Sequence, residues 1–398
     1  MHTYIRILVL AAALHAGTSI AANLLVPGAQ DQVPAALTHA QASGAAGLDR
    51  TPVRVSHALD AAQAIDSAPK PFVAQSREFW SDVGATELRT GVKLHTTAPG
   101  ALIRLSPQGG ASAALDPAGV LIRNRGKTLR AVEASLAVAD TKPLRSAGMD
   151  VPTGTLVLRL APAAGSGEME ITAAHAQGRY LVHVLDAGST LVLGFGADRD
   201  TVLVGSTITF RATSTGLKLA SGLVTAPDGY SANLKFERNA DGSFSASFTP
   251  DAAHAAGPQL WEAHVFAAAN AAGLAVLRDA KTAFAVSAPT AHLAGGAQTL
   301  TDAAGVHATF DIDTGDASRY QVSAVLYGTG SDGAMRALAL GQSAAWLDAG
   351  NGRIGLSFDA DVVAASGLHA PFEVRDLRLV DQATMSLIER RERALVIN

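Results

Sequence analysis

Carboxylates set on turns are the residues of this chain most able to do chemistry. Asp311-Ile312-Asp313-Thr314-Gly315-Asp316 gathers three acidic side chains around a glycine. Hard oxygen donors of this kind suit Ca²⁺. The spacing departs from an EF-hand loop, which needs further ligands and a distal bidentate Glu. The alternative is a strand end followed by an Asp/Gly turn. Asp198-Arg199-Asp200 is a second, weaker charged loop between strands, whose two carboxylates could serve glycoside cleavage at the necessary separation. Glu168 and Glu170 share one strand face and are expected in solvent.

Histidines are dispersed. His183 and His264 fall on the polar phase of apolar strands, which reads as half-exposed sheet surface. A metal pair would need both at one sheet or junction, and they are expected in different domains. His175, His307 and His369 have no carboxylate at a telling offset. Of the three tryptophans, Trp261 and Trp346 lie on the apolar phase of strands and are expected as core centrepieces. The alternative is a set of stacking platforms for sugar rings. Trp80 stands beside Phe79 near an expected domain edge. The sequence contains no G-x-S-x-G elbow, H-E-x-x-H, P-loop or strand-following G-x-G-x-x-G. No catalytic, cofactor-binding or metal-ligating residue is therefore assigned.

The elements that must position these residues are strands. Leu156, Leu158 and Leu160 share one face; so do Tyr180, Val182 and Val184. Phe244, Ala246 and Phe248 point inward while Ser243, Ser245, Ser247 and Thr249 point outward. A period of two marks a strand with one buried face. Asp228-Gly229, Asp241-Gly242, Asp332-Gly333 and Asn351-Gly352 mark turns. In Phe372–Leu379 the apolar phase slips by one, which predicts a bulge at Arg375-Asp376. Leu129 to Val138 is the one stretch of the first domain that could be helical, and Asp60–Ile65 could form a brief helix.

The organisation expected is all-β, with three tandem sandwiches, the second and third immunoglobulin-like. The divisions are a signal peptide over 1–21, a loose, partly disordered leader over 22–75 packed partly on the first domain, and domains at 76–187, 188–288 and 289–398. The signal reading rests on Arg6, the apolar run Ile7–Leu14, and the small residues of Ser19-Ile20-Ala21. It places the product in the periplasm or outside the cell. The chain of 398 residues has no cysteine, so each domain must fold without disulfides or Cys-ligated zinc. A net charge of −4 offers no footprint for nucleic acid or anionic membranes, and no second run approaches a membrane span.

Four strings carry a resemblance: Gly100–Pro107, Leu260–Val265, Val325–Thr329 and Asp376–Gln382. Together they resemble an uncharacterised family of exported Gram-negative bacterial proteins, known only as a domain of unknown function. The resemblance covers the chain from about Phe79 onward. It implies an N-terminal β domain followed by two immunoglobulin-like domains, and it brings no catalytic residues. The function expected is a binding or interaction protein for an envelope, glycan or protein ligand, with no cofactor. The alternative is a secreted hydrolase or enzyme accessory acting on polysaccharide or peptide, with Asp198, Asp200, Asp311 or Asp313 in its site.

Overall fold

The computed structural model describes residues 19–39, 47–65, 70–109, 114–255 and 258–398. The chain is all-β, and its strands form six sheets that face one another in pairs. In the first pair, the five-stranded sheet containing Glu78–Gly84, Leu102–Gln108 and Arg179–Leu185 packs on a four-stranded sheet containing Val92–Thr96 and Gly167–Ala173. Their shared core holds Phe79, Leu105, Leu156, Leu158, Leu160, Tyr180, Val182 and Val184. These are the alternating positions of the sequence, while Arg159 between them is exposed. Each such side chain removed from water contributes on the order of 1.5–3 kcal/mol.

The second pair encloses Phe195, Phe210, Phe244, Trp261, Val265 and Phe284. Trp261 is 2% exposed and packs on Phe248 and Phe284, the centrepiece its phase predicts. The third pair encloses Phe310, Tyr320, Val322, Leu356, Phe358 and Leu395. Its last strand runs from Ser386 to Ile397. The phase slip is a bulge: Asp376 has φ 48°, and the register with the last strand shifts between Val374 and Arg375.

Four expectations are corrected. The stretch 22–75 is not a loose leader on the first sandwich. Ile20–Asn23 pairs with Gly296–Thr299, and Val53–Ala58 pairs with Ala339–Ala344, so this segment adds one strand to each sheet of the third sandwich. Val73–Ser76 then joins the second sandwich beside Leu193–Gly196. The chain thus crosses its last and middle sandwiches before building its first. Secondly, the helical stretch near Leu129 is only Ala131–Ala134, between strands Lys127–Arg130 and Ser135–Ala139, while helices Ala85–Thr90 and Thr141–Ser146 were not expected. Thirdly, residues 60–63 form a turn and not a helix. Fourthly, Asn351-Gly352 marks no hairpin: it lies inside strand Gly350–Asp359, which pairs with Gly305–Thr314, while the preceding strand Met335–Leu347 belongs to the facing sheet.

Residues 1–18, which carry the apolar run, lie outside the described residues. Among the described residues no helix is long and apolar enough to cross a membrane.

Candidate functional site

The carboxylates singled out by sequence do not converge on one site: Asp311 and Asp313 line a hollow of about 520 Å³ with Arg353, whereas Asp198 lines another on the second sandwich. Asp311 and Asp313 alternate along strand Gly305–Thr314. Asp311 accepts from Arg353 Nε at 2.7 Å, and Asp313 lies 3.7 Å from His292. Asp316 is taken by His39 at 3.0 Å. Each acid of the calcium reading therefore faces a basic side chain, which competes for the oxygens a cation would need. No group of three or more His, Asp or Glu side chains with metal-binding geometry occurs among the described residues. Asp198 accepts from the Thr209 backbone N–H at 3.0 Å, and Asp200 is exposed. Those two belong to the second sandwich and Asp311 and Asp313 to the third. Glu168 meets Lys93 and His95, and Glu170 meets Arg123, on an outer face of the first sandwich.

Three histidines depart from expectation. His183 is 8% exposed; it holds Glu78 at 2.7 Å and stacks on Trp80 at 3.9 Å between ring centroids. Arg104 lies over the same indole, so Trp80 is occupied from within the protein. The backbone N–H of Trp80 donates to Asp279 Oδ2 of the second sandwich at 2.8 Å, and His264 lies 4.0 Å from that carboxyl. His183 and His264 thus belong to different sandwiches yet gather at one joint. Burial pushes the Asp279 carboxyl up to about 7 and the His264 imidazole down to about 4. Both prefer their neutral forms there. The Trp80 N–H belongs to an edge strand, and the carboxyl covers that edge.

The third is His307. Its Nδ1 is 2.9 Å from Ser357 Oγ and its Nε2 is 3.3 Å from Asp302. The Ala304 backbone N–H foremost, and then the His307 side chain, hold the Asp302 carboxyl below its ordinary range against the opposing effect of burial. Ser357 also accepts from Arg54 of the N-terminal segment at 3.1 Å. The order resembles an acyl-transfer relay. However, Ser357 is 8% exposed, sits mid-strand and is the direct cross-strand partner of His307. His175 is exposed, and His369 bonds a backbone carbonyl. Trp346 is not core: its ring lies half-buried beneath Arg50 and donates to Asp348.

The site that sequence reasoning missed is a trench on the second sandwich. One end is a cavity of about 760 Å³, bounded by Val73-x-Gln75 of the N-terminal segment, the turn Thr213–Lys218 and the hairpin Arg238–Ser243. A second hollow of about 340 Å³ continues it past Gly196, Thr209 and Arg211, and Asp198 of the sequence-predicted loop lines this end. The two share Val73 and Thr213. Gly194 and Gly196, which carry no side chain, let the neighbouring chain segments come close beneath the trench. A Cβ at 194 would stand 2.7 Å from Thr213 Oγ1, and one at 196 would stand 2.5 Å from the Phe72 carbonyl oxygen. Alternate glycines inside strand Leu193–Ala197 signal close backbone approach, and that signal was legible in the sequence.

The trench is lined by hydroxyls, amides and cations. Asp241 is engaged by Arg211, by the Ser243 N–H and by the Ser243 hydroxyl. Those bonds, that of the Ser243 hydroxyl foremost, hold its carboxyl below the usual carboxylate range. Lys218 and Arg238 are exposed and have no ion-pair partner among the described residues. The Ser243 hydroxyl is given to Asp241, whose carboxylate Arg211 holds, and among the described residues no histidine lines the trench. Its arrangement is suited to holding a polar ligand.

Fold and site together define a chain of three β-sandwiches with an open polar trench on the middle one. The N-terminal and C-terminal domains described as "Domain of unknown function (DUF4785)" match residues 44–186 and 290–398. The chain belongs to the DUF4785 family. A crystal structure of a DUF4785 family protein from Legionella pneumophila is 18% identical and superimposes with a TM-score of 0.71. That likeness covers 92% of this chain and 98% of the other, and at such identity it speaks for the fold alone. Trypsin-activated alpha-2-macroglobulin from Escherichia coli is 15% identical over 74% of this chain and 22% of its own, with a TM-score of 0.20, too low to define a shared architecture. No curated protein matches the chain.

Proposed function

We propose that the protein is an exported binding or interaction protein, holding an envelope or extracellular component in the trench of its middle sandwich. One observation carries this reading. The hollow of about 760 Å³ is open and polar, and neither Asp279, His264, Asp186 nor Arg278 lines it. Catalytic sites instead bring perturbed acids and bases into a cleft. The perturbed pair here, Asp279 and His264, is closed inside a joint. Export rests on the N-terminal apolar run and its small-residue end.

The test is a panel of glycans and peptides offered to the intact protein and to Thr213→Trp, an exposed position whose indole would fill the trench. Binding by the parent protein that Thr213→Trp abolishes supports the reading. Turnover of any panel member, or binding indifferent to Thr213→Trp, overturns it.

A further inference from the structure

We propose that the ligand of the trench is an acidic saccharide chain, held through carboxylate or phosphate groups; this rests on the binding reading above. Three features of the trench converge on that class. The first is charge. Asp241 is already matched by Arg211, which leaves Lys218 and Arg238 as unmatched cations at the wider end. Unmatched guanidinium and ammonium groups beside a hollow recruit anions, and the guanidinium binds an oxyanion through paired hydrogen bonds.

The second feature is uncommitted polar side chains. Gln75, Thr190 and Thr213 line the hollow, and none has a side-chain hydrogen bond among the described residues. Donor and acceptor groups of this kind match the hydroxyls along a sugar ring. The third is apolar surface between them. Val73 is half exposed and Val192 is partly exposed beside it, so the C–H face of a sugar has something to rest on. No aromatic ring lines it, so attraction depends on charge and hydrogen bonding rather than stacking.

An acidic peptide would satisfy the first feature but would leave the rest of the lining less well used. Its backbone amides favour pairing with a strand edge. An uncharged glycan would leave both cations unanswered. The trench also runs on past Gly196 to Asp198 and Arg211, so a chain of linked residues fits it better than a single small anion, with its acidic groups at the Lys218 and Arg238 end and its hydroxyls at the other.

The experiment titrates the intact protein calorimetrically with polygalacturonate, an uncharged galactan and poly-glutamate, at about 50 mM salt where surface charges act strongly. The variants are Lys218→Gln with Arg238→Gln, and separately Thr213→Trp. The expected result is binding of polygalacturonate alone, weakened about tenfold or more by the double variant and lost in Thr213→Trp. Raising the salt to about 500 mM should weaken it similarly. Equal binding of the uncharged galactan would overturn the acidic class while leaving a binding protein. Equal binding of poly-glutamate would overturn the saccharide. No binding by any polymer, or binding untouched by Thr213→Trp, would overturn both the inference and the reading beneath it.

Discussion

Arg278 of the second sandwich reaches Asp186 at the end of the first, Nη2 to Oδ2 at 2.9 Å, with both side chains 1% exposed. The pair is fully embedded in donors and acceptors. Asp186 also accepts from Thr97 N at 2.8 Å, Thr97 Oγ1 at 2.9 Å and Ala98 N at 3.2 Å. Arg278 further donates to Ser189 Oγ and to the carbonyls of Leu191 and Leu277. Burial pulls the guanidinium below its ordinary value, and the carboxylate opposes that pull. Breaking one half strands a charge out of water. Arg278→Met should therefore destabilise the two sandwiches by about 3–5 kcal/mol in denaturant unfolding. Adding Asp186→Asn should recover part of that loss. A loss in Arg278→Met below about 1 kcal/mol would refute a joint held by this pair.

The neighbouring acid gives the joint a pH signature. Asp279 binds its proton up to about pH 7 when folded but only to about 3.8 when unfolded. Its contribution is full below 3.8 and is lost as pH rises through 7. His264 works oppositely: folded it titrates near 4, against 6.5 unfolded, so stability is lost as pH falls through that window. Between about 4 and 6.5 the two slopes offset, and above 6.5 only the Asp279 loss continues. Asp279→Asn keeps a carbonyl for the Trp80 N–H and removes that loss. Its melting temperature relative to the parent protein should rise between pH 5 and pH 8. A difference that stays flat over that range would show that Asp279 is charged in the fold.

The strands and cores were legible because a two-residue alternation is local. Leu156–Leu160 and Phe244–Phe248 declare their buried faces within five residues. The bulge at Asp376 was legible for the same reason. What pairs with what was not. Nothing in Val53–Ala58 says that it lies beside Ala339–Ala344, because strand pairing across the whole chain leaves no mark in a local window. Trp346 shows the consequence. Its phase suggested a core residue, whereas the surface it occupies is covered by Arg50 from that remote segment. His183 and His264 misled in the same way, since the joint that unites them is absent from either strand taken alone.

The remote segment is pinned at one arginine. Arg319, 8% exposed, donates to the Thr51 carbonyl at 2.8 Å and also to the Asp49 carbonyl, while its Nε bonds Gln382 at 2.8 Å. Arg319→Ala should free the entry of Val53–Ala58 without disturbing the core beneath. Hydrogen exchange should then accelerate at 53–58 and at the paired 339–344, and leave Val322 and Leu379 protected. Uniform acceleration across the third sandwich would mean that Arg319 supports the sandwich and not the segment.

Ser357, His307 and Asp302 pose the sharpest choice between chemistry and architecture. Their hydrogen bonds are mutually consistent: Arg54 donates to Ser357 Oγ, Ser357 can donate to Nδ1, and Nε2–H can donate to Asp302. A nucleophilic serine, however, needs open space over its oxygen and donors aimed at a developing oxyanion. Ser357 lies on a regular strand, directly opposite His307, with Arg54 already on its oxygen. Such a cross-strand polar pair ties the N-terminal segment to the third sandwich. A fluorophosphonate probe should therefore leave Ser357 unmodified. Ser357→Ala should cost about 1–3 kcal/mol by leaving Arg54 and His307 without their shared partner. Modification of Ser357 that disappears in His307→Ala would reverse this assignment and make the chain an acyl-transfer enzyme.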